Sequence, residues 1–406
     1  MSSKWLSLEE ALTKALDAAK AITDVEQVSI FDAHNRILAQ DVVANVDVPP
    51  WDNSAMDGYA VNTEELEQTA TSKLEVQGVI TAGMRADTPL QPGKAFKIMT
   101  GAPVPENANA VVMIENTSEF EGAVVINKRP IAQENIRKKA NDIARGDTLV
   151  KKGTRLHAEH LMLLSSQGKN TVDVIRKLRV GVVATGSELA APGSARADTQ
   201  IYESNRVGVS SILQNENVEL IDFGIVEDDE ISLRKLFTDA SSRVDVMVSS
   251  GGVSVGDADY VKDIIAELGA IDFWKIAVKP GKPFALGKIN NTLFCGLPGN
   301  PVSSFVTAKL LVVPIIKKMQ GQLDAYTPFS VSATITTTLN RRAGRRDFQR
   351  ATMVKNECGD WEVTPFKSQS SGVMTSITSA NCLMVVPEDV SELQVGDKVE
   401  VMPLHF

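Results

Sequence analysis

A chain of 406 residues with 43% apolar and 23% charged side chains is too long for one ordinary core and too apolar to be disordered, so two to four domains are expected. A formal net charge of −9 argues against a nucleic-acid binder, which needs a basic face. Four histidines leave little for His-rich metal sites or His-dependent triads, and three scattered cysteines (Cys295, Cys358, Cys382) form neither a disulfide framework nor a zinc pattern.

The opening MSSKWLSLEEALTKAL carries acids where an export signal carries an apolar run, and the most apolar stretch, 305–316, is broken by Lys309 and Pro314 and is too short to span a bilayer. A cytoplasmic protein with no membrane contact is expected. Residues 6–22 read as an amphipathic helix capped by Ser7, with Glu9 and Glu10 in its first turn. From 25 to 48, alternating runs such as ILAQDVVANVDV predict strands that end at Pro49-Pro50. Residues 51–140 are turn-rich, and VIT, FKIM, AVVMI and AVVINK are their strand candidates. A helix returns at 156–167, where His157 and His160 read as a surface pair because no third metal ligand is near.

After Leu178 the runs RVGVVA, VELIDFG, VDVMVSS and IDFWKIAV alternate with helical segments near 203–216, 230–242, 259–268 and 301–319. That alternation predicts a parallel sheet with helices on both faces over 176–327. Beyond Pro328, period-two runs without helices predict a small β-barrel or sandwich.

In an open parallel sheet, ligands sit outside the carboxyl ends of the strands, and three conspicuous loops fall there. Thr185-Gly186-Ser187-Glu188 follows the first strand and combines phosphate-binding amides with a carboxylate. Ser250-Gly251-Gly252 follows the third strand and leads to Asp259. Pro298-Gly299-Asn300-Pro301 feeds the 301–319 helix with Pro301 in its first turn. Two carboxylates beside phosphate-cradling amides suit Mg²⁺ bound through a nucleotide, although neither a Walker loop nor a dinucleotide fingerprint is present.

Lys275, Lys279 and Lys282 lie around a turn stiffened by Pro280 and Pro283, and their side chains are expected to converge on a tetrahedral oxyanion. Arg350 and Ser370-Ser371 are further anion candidates in the C-terminal region. Arg341, Arg342, Arg345 and Arg346 are expected to form a solvated face.

These residues resemble the molybdopterin molybdenumtransferases, the family called MoeA in bacteria and the E domain of gephyrin in animals. The similar segments run nearly end to end; DNSAMDGYAV, KPGKPFALG and GLPGNPVSS are the most specific, and IYESNR and GRRDFQRA lie among the rest. The resemblance implies four domains: 1–45 with 141–175 (a small N-terminal α/β domain I), a β-rich inserted domain II (46–140), a MogA-like molybdopterin-binding α/β domain III (176–327) and a C-terminal β-barrel domain IV (328–406). It implies insertion of molybdate into adenylylated molybdopterin with Mg²⁺-dependent release of AMP. A homodimer is also implied, with its active site between domain III of one subunit and domain II of the other. Transient contact with a molybdopterin adenylyltransferase and with downstream cofactor-handling proteins follows.

Carried over by position, Glu188 and Asp259 would hold Mg²⁺ against the adenylate phosphates, and Gly186, Ser250, Gly251 and Gly252 would cradle the nucleotide. Lys279, Lys282 and Pro283, with Arg350 and Ser371, would form the molybdate pocket, and Pro298 and Pro301 would also contact the adenylylated pterin and molybdate. Asp57, Thr100, Arg137 and Asp142 would line the pterin side. Asp228 and Lys275 are further catalytic candidates. Ser187 departs from the Asp that bacterial relatives often carry, which touches local detail around Glu188.

The chemistry is consistent with these roles. Molybdate and the adenylylated pterin are both anionic, so fixed cations must offset their repulsion. The substrate's own dithiolene sulfurs supply the nucleophiles, which explains why few Cys or His residues are needed. A scaffold would not need Glu188, Asp259 and Lys279 together. An enzyme that adenylylates molybdopterin with ATP uses the same α/β domain, but the flanking β regions favour insertion. A plain anion-binding module would bind molybdate without releasing AMP.

Overall fold

The structure, a computed structural model, describes residues 5–67, 71–251, 260–323 and 326–404. Its contacts form two compact units: residues 1–40, 152–158 and 171–406 in one, 41–151 and 159–170 in the other. Segment 141–151, expected with domain I, thus falls in the same unit as the β-rich middle. No helix among the described residues is long and apolar enough to cross a membrane.

In the larger unit, the strands β1 (Arg179–Thr185), β2 (Glu219–Val226), β3 (Val246–Ser250), β4 (Gly269–Lys275), β5 (Pro283–Ile289) and β6 (Thr292–Leu297) form one sheet in the order β2-β1-β3-β6-β5-β4. The first four in that order run parallel, as the strand–helix alternation predicted, and β5 is antiparallel to both its neighbours. The β5–β6 hairpin was not foreseen. Its signal was present: FALGKI and TLFCGL flank Asn290, which takes a left-handed φ of 54°.

The helices α1 (Asn205–Gln214), α2 (Glu230–Arg243) and α3 (Tyr260–Leu268) lie where the periodicity placed them. The 301–319 segment is a helix with a π turn at Ala308–Val312, between Pro301–Thr307 and Val313–Met319. Pro314 accounts for the break, because it lacks an N–H and its ring crowds the carbonyl four residues earlier. Apolar side chains cover both faces. One core joins Val180, Val246 and Leu293 to Val302, Leu311 and Ile315, and the other joins Val183, Met247 and Phe294 to Leu236 and Phe237.

The N-terminal helix Leu8–Ala18 begins at Ser7 with a complete capping box to Glu10 and buries Ala11 and Ala15 in the α/β core. Strand Val25–Ser29 pairs antiparallel with Thr171–Ile175. The helix near 160 starts at Ala158, leaving His157 outside it, its ring edge-on to His34 at 6.2 Å. At the C-terminus, strands Val331–Ile335, Arg346–Lys355, Trp361–Pro365, Cys382–Val386 and Lys398–Pro403 close on themselves as a five-strand barrel.

The smaller unit is a six-stranded sheet in the order 110–113, 58–61, 94–98, 72–80, 123–126 and 117–120, with a single parallel pair, 72–80 with 94–98. It has apolar cores centred on Tyr59 and Leu74 and on Ile80 and Ile98.

Phe294 is fully buried and meets Phe237 edge-on at 5.6 Å. Phe294→Ala is expected to lower the stability of the α/β region by about 3–5 kcal/mol, read from the shift of its urea transition.

Candidate functional site

The cleft of the larger unit follows from strand register. Ala184 of β1 is level with Ser250 of β3, and Ser250 with Leu297 of β6, so three chain segments leave the sheet side by side. Thr185, Glu188, Ser250, Gly251, Gly299 and Pro301 line one small open cleft of about 70 Å³. Two glycines permit it. At Gly251 (φ 90°) a Cβ would lie 2.5 Å from the Thr185 carbonyl, and at Gly186 (φ 153°) one would lie 2.5 Å from the Glu188 carboxylate. Pro298 is buried where the third loop leaves the sheet. Asn205 Nδ2 donates to the Gly299 carbonyl at 2.7 Å and ties that loop to α1. Thr185 Oγ1, in a residue only 4% exposed, has no hydrogen-bond partner among the described residues.

The second strand brings another acid to this edge. Partial withdrawal from water, then the charge of Glu188, then that of Asp229 push the Asp228 carboxyl above the ordinary carboxylate range. Asp229 is committed elsewhere, capping α2 through the N–H groups of Ile231 and Ser232. Glu188 and Asp228 thus lie near enough at this edge for their charges to interact. Mg²⁺ takes one or two carboxylates and completes its shell with water and phosphate oxygens, so this pair fits it. Among the described residues no group of three or more His, Cys, Asp and Glu is placed to hold a metal. Gly252 and Asp259 lie outside the described residues.

Lys279 and Lys282 turn to different partners. Lys279 Nζ lies 3.2 Å from Asp347 Oδ2, in the barrel strand Arg346–Lys355, whereas Lys282 stands over the Trp5 ring at 5.0 Å. Lys275 closes β4 in register with Pro283. Backbone pairing explains the choice for Lys279: Val278-Lys279 forms a short parallel ladder with Arg346-Asp347, which sets the two side chains opposite each other.

Arg350 is 1% exposed and is surrounded by neutral acceptors: Ser376 Oγ at 3.0 Å, the Ser370 carbonyl at 3.3 Å and the Phe348 carbonyl at 3.5 Å. Burial pushes its guanidinium below the ordinary arginine range, and the charge of Asp347 opposes that. The same loop reaches the cleft, since Val302 N–H donates to the Ser371 carbonyl at 3.3 Å. Sequence reasoning could not bring Arg350 and Ser371 to the loop at Pro301; the fold does.

Of the arginines expected on a solvated face, Arg341 is not there. Its side chain is 5% exposed, donates to the Arg345 carbonyl at 2.6 Å and lies 3.9 Å from Asp347 Oδ2. Arg346 pairs with Glu9 and Glu388.

In the smaller unit, Asp57 and Thr100 meet at the ends of adjacent strands. Asp57 Oδ1 accepts the Thr100 N–H at 2.7 Å and its hydroxyl at 2.8 Å, and these bonds, backbone first, hold the Asp57 carboxyl below its usual range. Gly58 is required there, because a Cβ would sit 1.9 Å from the Val112 carbonyl. Arg137 is exposed beside Asn53, its register partner, and Asp142 is exposed with its N–H on the Val48 carbonyl. Asp228 was among the predicted residues, though not its closeness to Glu188; Asp347, the partner of Lys279, was missed. Position alone, after a second strand and within GRRDFQRA, was their signal.

Together these features define a multidomain α/β enzyme fold, with an open ligand cleft at the carboxyl edge of a parallel sheet, a β-barrel and a β-rich second unit. Residues 6–168 match the family described as MoeA N-terminal region (domain I and II), 181–318 the one described as probable molybdopterin binding domain, and 332–404 the MoeA C-terminal region (domain IV). The chain is 40% identical over 401 residues to a molybdopterin molybdenumtransferase of Haemophilus influenzae, covering 98% of this chain and 99% of that one. It is 34% identical over 389 residues to one from Nostoc sp., covering 94% and 89%. Two crystal structures of molybdopterin biosynthesis moeA protein from Pyrococcus horikoshii superpose with TM-scores of 0.81 and 0.84 at 33% and 28% identity; 99% and 98% of this chain and 100% of each of those chains are covered. The chain belongs to the molybdopterin molybdenumtransferase family, the MoeA transferases.

Asp228→Asn tests the acidic pair. A carboxyl whose folded pKa is raised contributes stability below its unfolded pKa and loses it as pH rises through the folded value. The variant should therefore melt higher than wild type at pH 7 without Mg²⁺, and the gain should vanish as pH falls below the ordinary carboxylate range. A melting curve with no such pH dependence would remove the Glu188–Asp228 repulsion from the account.

Proposed function

We propose that this chain inserts molybdate into the dithiolene of adenylylated molybdopterin and releases AMP. The observation that carries this reading is Arg350, a buried guanidinium on a barrel strand with no carboxylate in contact among the described residues, bonded to the Ser370 carbonyl of the loop whose Ser371 meets the start of the 301–319 helix. A cation withdrawn from water with only neutral acceptors around it favours an anion beside it. Ser371, on that loop, and Lys279, Lys282 and Pro283 are the further residues proposed to hold molybdate. An oxyanion flanked by lysine and arginine donors meets charge-assisted bonds in the geometry it requires.

In the cleft, the amides around Gly186, Gly251 and Gly252, with the Ser250 hydroxyl, take the nucleotide phosphate. Glu188, with Asp259, holds Mg²⁺, and Asp228 is the adjoining acid. When bound, the ion lowers the negative charge of the phosphate and polarises it toward water. Asp57, Thr100, Arg137 and Asp142 are assigned to the pterin. The thiolates of the substrate replace oxygens of molybdate, each displaced oxygen taking up two protons and leaving as water, and a further water cleaves the adenylate bond with AMP leaving. The protein's part is to hold two anions together, which places most of the acceleration in orientation and charge compensation. A homodimer is proposed as the working form.

Glu188→Gln should abolish Mg²⁺-dependent AMP release from adenylylated molybdopterin, measured by chromatography, with sedimentation behaviour unchanged. A fully active variant would refute the role of Glu188. Incubating the wild type with ATP and unmodified molybdopterin tests the rival activity, and adenylylated product would favour the adenylyltransferase reading.

A further inference from the structure

The buried polar group at the rim of the barrel is larger than the proposed pocket requires. Asp347 is 1% exposed, and its Oδ2 receives Lys279 Nζ at 3.2 Å and Gln349 Nε2 at 3.2 Å, with Arg341 Nη1 at 3.9 Å. Asp347 Oδ1, Gln349 Oε1 and Arg341 Nε are buried without hydrogen-bond partners among the described residues.

The pleat of strand Arg346–Lys355 separates this group from Arg350. Successive side chains point to opposite faces, and the pairing with Cys382–Val386 runs from 347 to 351 without a register shift. Phe348 packs in the α/β core and shares a face with Arg350; Ala351 packs in the barrel core and shares a face with Asp347 and Gln349. While its ammonium rests on Asp347, Lys279 is thus committed to the face away from Arg350. Its side chain is also 40% exposed, whereas that of Asp347 is 1% exposed.

We propose that Asp347 is an internal counter-ion that latches Lys279 away from the oxyanion site until an anion takes it. This rests on the reading of Lys279 as a molybdate ligand. The carboxylate stands in for the oxyanion, keeps a mobile cation from drifting into water and sets the affinity threshold for binding. Arg341 and Gln349, which remain when Lys279 leaves, keep the buried carboxylate compensated. The site would then bind its anion by exchange, so a weakly charged ligand could not open it.

Calorimetric titration of sodium molybdate into the full-length wild type, Asp347→Asn and Lys279→Gln decides the matter. Asp347→Asn removes the competing charge and should tighten binding on the order of 5- to 10-fold at low salt, with the gain shrinking as salt rises. Lys279→Gln should lose most of the binding. Weaker or unchanged binding in Asp347→Asn, with loss in Lys279→Gln, would overturn the latch and leave the molybdate reading standing. Unchanged binding in Lys279→Gln would overturn both. Should Asp347→Asn not fold, a crystal structure of the wild type with molybdate decides: Lys279 Nζ moved from Asp347 onto the anion supports the latch, and an intact Lys279–Asp347 pair beside bound molybdate overturns it.

Discussion

The parallel ladder across β1, β3 and β6 is the constraint on which the cleft depends. Because Val180, Val246 and Leu293 start level and Ala184, Ser250 and Leu297 end level, three loops leave the sheet within reach of each other. A one-residue slip would turn core side chains outward, so burial of Val182, Val248 and Cys295 on one face holds the loops in place as firmly as any contact within them. Gly251 then lets two backbones approach where a Cβ would collide, and Gly186 leaves room for the Glu188 carboxylate.

Charge is the second organising feature. The edge of the sheet carries two acids, Glu188 and Asp228, and burial first and the Glu188 charge second raise the Asp228 carboxyl. The barrel rim carries the opposite arrangement, the buried cation Arg350 among neutral acceptors and two cations, Lys279 and Arg341, around Asp347. Each is costly in isolation, and each becomes favourable with the partner of opposite sign. A metal-bound phosphate suits the first and an oxyanion the second. The two are parts of one unit, joined by the hydrogen bond from Val302 to Ser371.

Much of this was legible in the residues. Alternating apolar runs and turn glycines defined the parallel sheet, and the loops after β1, β3 and β6 were placed at its edge because that is where strand–helix turns fall. The capping box at Ser7 was readable because it is local. The β5–β6 hairpin was overlooked, since its apolar runs lie within a proline- and lysine-rich segment read first for its charges. The π turn before Pro314 is a backbone adjustment that periodicity does not report. The lysines misled for a related reason: stiffening a turn limits where side chains start, but the barrel strand opposite decides where they go.

Local chemistry, then, was decided by the chain itself: which residues cap, turn and alternate, and that cations and carboxylates suited to anionic substrates are present in quantity. Only the tertiary structure decided their company. Asp228 near Glu188, Asp347 beneath Lys279, Arg341 buried and Ser371 against Val302 bring together segments 40 to 69 positions apart in the chain (the exception is Arg341, six residues from Asp347). Charge interactions act through space and depend on burial, and neither distance nor burial is a property of a residue's own neighbours in sequence.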